Sequence, residues 1–255
     1  MRTILCELAV VEQNSTPPSI AGRVHSIIKN FVGIEDLYSE EKRRFNDFAL
    51  KIAPKFSRMI ISHRDGFLLR VKLSIAANII DFGKNSNLTE KEAEICIENA
   101  LEKSISGVDI EQFKYAIDKA TKILFLCDNT GEIVFDKILI EGISKKSITC
   151  AVRGFPVIND ATLLDAEYVG LTDVVKVISN GSNHPGTTLS DCSREFLNEY
   201  ETSDLIIAKG QGNYETLSEV TDKHIFFLLQ VKCPVIARSI GYPLGSFVAK
   251  EINRR

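Results

Sequence analysis

Four short polar stretches carry the side chains best suited to chemistry. They are Asp128-Asn129-Thr130-Gly131-Glu132, residues 153–160 (RGFPVIND), residues 179–188 (SNGSNHPGTT) and residues 209–215 (KGQGNYE). Asp128, Asn129 and Asp160 offer carboxylate and amide oxygens, hard donors suited to Mg²⁺ or Mn²⁺, and so small a set leaves coordination positions for water and phosphate. Lys209 adds a positive charge for phosphoryl oxygens. Gly181, Gly186, Gly210 and Gly212 allow backbone N–H groups to approach them closely. Together these residues suit hydrolysis of a phosphate ester by a metal-activated water.

Each piece also has a plain structural reading. Asp128, Asn129 or Thr130 suits the cap of a following helix, and so does the run from Asn159 to Thr162. Residues 209–212 lack the G-K-[ST] of a P-loop and read alone as a turn. His184-Pro185 reads as a loop feature, and His25, His63 and His224 have no metal-ligand spacing. Cys127 reads as a core residue at a strand end. The functional reading rests on the coincidence of four such loops.

The elements that must position these loops follow from apolar spacing. Ile123 to Cys127 is an unbroken apolar run, the pattern of a strand buried on both faces of a parallel sheet. Further strands are expected at 148–152, 174–178, 205–208 and 225–229, with helices at 132–144, 162–169, 189–200 and 215–220 between them. Alternating strands and helices predict a mostly parallel sheet with helices on both faces, a Rossmann-like three-layer α/β/α domain over residues 119–255. The polar loops then fall at the carboxyl ends of the strands, where open α/β sheets bind ligands.

Residues 1–118 read instead as an all-α domain. Helices are expected over 19–32, from Ser39 with its interruption at Pro54, over 67–82, and after the capping box Thr89–Glu92. The charged run 40–44 reads as a solvated face. Residues 67–82 are apolar nearly all round and predict a central buried helix, with Asn78 and Asp81 on one face.

Composition narrows the functional classes. A chain of 255 residues can bury a large core, and a formal charge of -3 argues against broad nucleic-acid binding. Six widely spaced cysteines read as reduced thiols rather than a disulfide framework or a zinc site. Met1 to Val11 does not read as a secretory signal, and residues 67–82 are too short and too charged to span a bilayer. A cytoplasmic protein without a membrane partner is expected.

The loops resemble those of the metal-dependent damage-control phosphatases, the family of domain of unknown function 89. The resemblance is carried by residues 127–136 (CDNTGEIVFD), 152–162 (VRGFPVINDAT) with Asp165-Ala166, and 208–217 (AKGQGNYETL). It extends to residues 76–83 upstream and to residues 232–238, Gly241 and Gly245 downstream. It implies a helical domain packed on a Rossmann-like one, with Mn²⁺, Mg²⁺, Co²⁺ or Ni²⁺ held by Asp128, Asn129 and Asp160. It further implies a phosphorylated small-molecule substrate, such as a sugar phosphate or a damaged phosphometabolite. Asp128, Asp160 and Lys209 are expected to carry the reaction, with Lys209 near the phosphate. Thr130, Gly131, Glu132, Arg153, Asn159, Gly181, Gly210, Asn78 and Asp81 are expected around the substrate. Two positions depart from the pattern: Cys6 stands alone where a C-x-x-C pair is usual, and Ala77 replaces a glycine.

Two other classes compete. A Rossmann-like layout also suits an S-adenosylmethionine-dependent carboxyl methyltransferase, although such enzymes place several glycines after the first strand and here there is only Gly131. A module that holds a phosphorylated ligand without turning it over is the other. Covalent use of Asp128 is disfavoured because the D-x-D-x-T pattern is absent: position 130 is Thr.

Overall fold

The computed structural model describes residues 1–12, 15–79, 89–108, 110–143 and 146–252. Its centre is a seven-stranded sheet: β1 (Ile105–Gly107), β2 (Lys122–Leu126), β3 (Ser147–Val152), β4 (Lys176–Ser179), β5 (Leu205–Lys209), β6 (Ile225–Gln230) and β7 (Phe247–Ile252). The order is β1-β7-β6-β5-β2-β3-β4. Strands β2 to β6 are mutually parallel, β7 runs antiparallel to β6, and β1 pairs parallel to β7.

Alternation along β2 builds two cores, because successive side chains point to opposite faces. Ile123 and Phe125 join one apolar cluster, and Leu124 and Leu126 join the other. The first face is covered by α3 (Ser39–Ser62), α4 (Gly66–Ala76), α5 (Glu90–Leu101), α6 (Ile110–Lys119) and α7 (Glu132–Gly142). The second lies under α9 (Arg194–Thr202), α10 (Gly210–Leu217) and α11 (Pro234–Ile240). The remaining helices are α1 (Arg2–Ala9), α2 (Pro17–Val32) and α8 (Leu163–Tyr168). The result is a mixed α/β fold with a mostly parallel sheet, as the alternating pattern predicts.

Strand order reverses between β2 and β5: β3 and β4 lie outward on one side, β6 on the other. The carboxyl ends of β2 and β5 therefore flank the crevice where a doubly wound sheet receives ligands. Asp128 follows β2, and Lys209 closes β5.

Several expectations need correction. The first 118 residues are not helical throughout, because β1 lies among them; three residues are too few to show a strand period. β7 and α11 also escaped the sequence pattern. Pro54 does not divide α3, which continues to Ser62 on the strength of its buried stripe Phe45, Phe48, Ala49, Ile52, Phe56 and Ile60. The charged run 40–44 is not wholly solvated: Lys42 is 3% exposed and is paired with two aspartates. The helix expected over 215–220 instead begins at Gly210, directly after β5, so residues 209–212 are no free turn. The helix expected over 189–200 is a short 3₁₀ turn at 189–191 followed by α9, which Ser193 caps.

Candidate active site

The site is assembled from the turns after β2 and β3. Asn129 and Asp160 form an isolated antiparallel bridge. Ala161 N–H donates to the Asp128 carbonyl at 2.8 Å, and Thr130 N–H donates to the Asn159 carbonyl at 2.9 Å. Thr130 Oγ1 donates to that same carbonyl. The two acidic turns are thus laced together by their backbones.

Neither turn spends its acid on a helix cap. The N-cap of α7 is Gly131, which has no side chain to give. The N-cap of α8 is Thr162, in a capping box closed by Asp165. Asp128, Asn129 and Asp160 are left free of that duty.

Asp128 Oδ2 accepts from Asn78 Nδ2 at 3.1 Å and from Asn129 Nδ2 at 2.9 Å. Asn78 Nδ2 also donates to Glu132 Oε2 at 2.6 Å. Arg153 Nε donates to Asp160 Oδ2 at 2.6 Å, and Arg153 Nη2 stands 3.7 Å from Asp128 Oδ1. That Nη2 is buried and makes no hydrogen bond within the described residues. Gly210 is the contact from the β5 side: a Cβ there would sit 1.8 Å from Asp128 Oδ2.

Behind this front row lies a second charged group. Lys209 Nζ, fully buried, donates to Glu132 Oε1 (2.5 Å), Asp136 Oδ1 (2.7 Å) and the Ser74 carbonyl (2.9 Å). Ser74 Oγ also donates to Asp136. An ammonium has three N–H donors, and here all three are engaged. Lys209 is thus tied to Glu132 and Asp136 rather than exposed to an incoming phosphoryl group.

Four buried carboxylates (Asp128, Glu132, Asp136 and Asp160) face two buried cations, Arg153 and Lys209. The imbalance shows in their acidities. Burial, then the charges of Glu132 and Asp160, push the Asp128 carboxyl up to about 8. Burial pushes Asp136 up to about 6, against the pull of Lys209. Asp160 is raised by burial despite Arg153. For Lys209, burial acts downward but Asp136 and Glu132 outweigh it, so its pKa rises. A shortage of positive charge among oxygen donors is what a hard divalent cation would make good. Among the described residues no three His, Cys, Asp or Glu side chains form a ready-made metal cage. A cation here would rest on Asp128, Asp160 and the carbonyl oxygen of Asn129.

The other expected residues fall as follows. Asn159 contributes its carbonyl, and Gly131 N–H donates to Asn46 Oδ1. Gly181 packs against Gly154, next to Arg153, with its far side on Ser193. Gly186 and Gly212 pack on each other. Asp81 lies outside the described residues. Sequence reasoning missed Ser74, Asp136 and Lys232. Asp136 follows Glu132 by four residues, so the two acids share one face of a mostly apolar helix, and that signal was available. Lys232 follows β6 at the same end of the sheet, where its charge acts to lower the Asp128 pKa.

A doubly wound α/β sheet with acidic turns at its switch point, roofed by helices from the first half of the chain, defines an enzyme-like class of protein. Residues 2–248 match the family model described as the damage-control phosphatase ARMT1-like domain, and the chain belongs to that family. It is 39% identical over 235 residues to a damage-control phosphatase of Pyrococcus horikoshii, covering 91% of this chain and 80% of that protein. It is 38% identical over 252 residues to an uncharacterised protein of Methanocaldococcus jannaschii (94% and 81% covered). A damage-control phosphatase of Archaeoglobus fulgidus is 33% identical over 238 residues (92% and 82% covered). The crystal structure of a domain-of-unknown-function-89 protein from P. horikoshii superposes with a TM-score of 0.90 at 35% identity, covering 98% of this chain and 88% of that one.

Proposed function

We propose that this chain is a divalent-metal-dependent phosphatase acting on phosphate esters of small metabolites, with sugar phosphates or damaged phosphometabolites as the substrate class. The names of its relatives support a phosphatase. The observation that carries the metal is the buried excess of carboxylate around Asp128 and Asp160, beside an Arg153 Nη2 that has no hydrogen-bond acceptor among the described residues.

Asp128, Asp160 and Asn129 would hold Mn²⁺, Mg²⁺, Co²⁺ or Ni²⁺. When bound, the cation would draw charge from the phosphoryl oxygens and activate an attacking water. Arg153 Nη2 would donate to a phosphoryl oxygen, while its Nε bonds Asp160. Lys209 acts one layer back: it bridges Glu132 and Asp136 and offsets part of their charge, while Glu132 orients the amides of Asn78 and Asn129. Gly210 lets the start of α10 close against Asp128.

The test is phosphate release from p-nitrophenyl phosphate and a panel of sugar phosphates, with each cation and with chelator. Release should require a divalent cation, and Asp128→Ala should fold while losing hydrolysis and metal affinity together. Release unaffected by chelator, or an Asp128→Ala enzyme that keeps both, would defeat the reading.

A further inference from the structure

The polar start of α3 hides two inward-facing residues one turn apart, Lys42 (3% exposed) and Asn46 (1% exposed). Lys42 Nζ lies 2.8 Å from Asp165 Oδ2 and 3.0 Å from Asp36 Oδ2. Asp165 Oδ2 also accepts the N–H and O–H of Thr162. Its other oxygen accepts Asn46 Nδ2 at 3.2 Å, and Asn46 Oδ1 accepts Gly131 N–H at 2.8 Å. A backbone donor at one end and a carboxylate at the other permit a single orientation of this amide.

The chain of contacts therefore starts on the helix that follows the Asp160 turn and ends on the backbone of the Asp128 turn. Both ends meet on one helix from the first half of the chain. Gly131 has a φ of 73°, and a Cβ there would sit 3.0 Å from the Phe45 carbonyl, so the turn lies directly on α3. A cap alone would need only Thr162 and Asp165. Asn46 adds nothing to that cap; its bonds link the cap to the other turn.

We infer that Asn46 and Asp165 are positioning residues of the candidate site: they lock the Asp128 and Asp160 turns into one register, so that α3 sets the spacing of the two carboxylates. What is positioned rests on the phosphatase reading; the brace itself does not.

The test is a swap. Asn46→Asp sets two carboxylates against each other. Asp165→Asn leaves an amide that must turn its NH₂ either on Asn46 Nδ2 or on the Lys42 and Thr162 donors. The double substitution lets that NH₂ face a carboxylate at position 46 while its carbonyl faces Lys42 and Thr162. Calorimetry gives Mn²⁺ affinity, and amide hydrogen exchange reports on residues 128–131 and 159–162. Ile60→Ala, a buried change near the far end of α3, controls for lost stability. Each single substitution should weaken Mn²⁺ binding about tenfold or more and speed exchange in both turns, since a small misplacement of catalytic groups is costly. The double should recover to within about threefold, and Ile60→Ala should do neither. Exchange that quickens only at Gly131, a double no better than the singles, or an Ile60→Ala control that matches them would overturn the inference. A wild-type protein that neither binds Mn²⁺ nor releases phosphate would sink the phosphatase reading alone, with the exchange data still deciding the brace.

Discussion

Gly210→Ala tests how tightly the β5 side must close on Asp128. The added Cβ would sit 1.8 Å from Asp128 Oδ2, 2.3 Å from its Cγ and 3.0 Å from Oδ1. Ordinary contact begins near about 3.4 Å, so the carboxylate or the start of α10 must retreat by roughly 1.5 Å. Gly210 also has a φ of 77°, which costs a residue with a Cβ about 1–2 kcal/mol. The retreat would break the bonds from Asn78 and Asn129, because both converge on the oxygen that the methyl group meets. A displacement of about 1 Å at reacting groups can cost about 100-fold in rate. We therefore expect kcat for Mn²⁺-dependent hydrolysis to fall about 100-fold, with a thermal midpoint lowered by about 10 degrees from the strained φ and the two lost hydrogen bonds. Kinetics on p-nitrophenyl phosphate, with circular dichroism to follow unfolding, gives both numbers. A Gly210→Ala enzyme with kcat within about threefold of wild type would refute the view that Asp128 needs this close approach.

Other consequences can be checked separately. Lys209→Met leaves Glu132 and Asp136 buried without their counter-ion and should cost about 3–5 kcal/mol in chemical denaturation, because breaking a buried pair strands a charge. Arg153→Ala should raise KM about 30-fold at saturating Mn²⁺, the worth of one charged hydrogen bond of about 2 kcal/mol, and calorimetry should show weaker Mn²⁺ binding as well, because Asp160 loses the N–H that holds it. The pH dependence follows from Asp128, whose folded pKa of about 8 lies above its unfolded value of about 3.9. Its neutral form is the one the metal-free fold favours, so that contribution is complete below about pH 4 and is lost as pH climbs toward about 8. Thermal midpoints in chelator should accordingly fall over that window, and the increment from added Mn²⁺ should grow, since the metal needs the carboxylate.

The sheet was legible because its inner strands are nearly pure apolar runs: Ile123 to Cys127 and Leu205 to Ala208 admit few other readings. Its far edge was not, because β1 is three residues long and β7 ends in the mixed run Lys250-Glu251-Ile252. At the site, carboxylate and amide types at strand ends pointed to Asp128, Asn129 and Asp160, and their freedom from capping emerged only once Gly131 and Thr162 were seen to take the caps. Lys209 was legible as a charge but not as a buried one, since its three partners come from α4 and α7, as many as 135 residues away. Lys42 shows the same limit: five consecutive charged residues look solvated until a distant carboxylate, Asp165, turns one of them inward.

The most direct test of the account is an anomalous difference map from crystals grown with Mn²⁺. It should show one ion within roughly 2.0–2.6 Å of carboxylate oxygens from both Asp128 and Asp160 and of the Asn129 side-chain carbonyl. A map with no ion between those residues, from protein that hydrolyses phosphate esters in the same buffer, would contradict it.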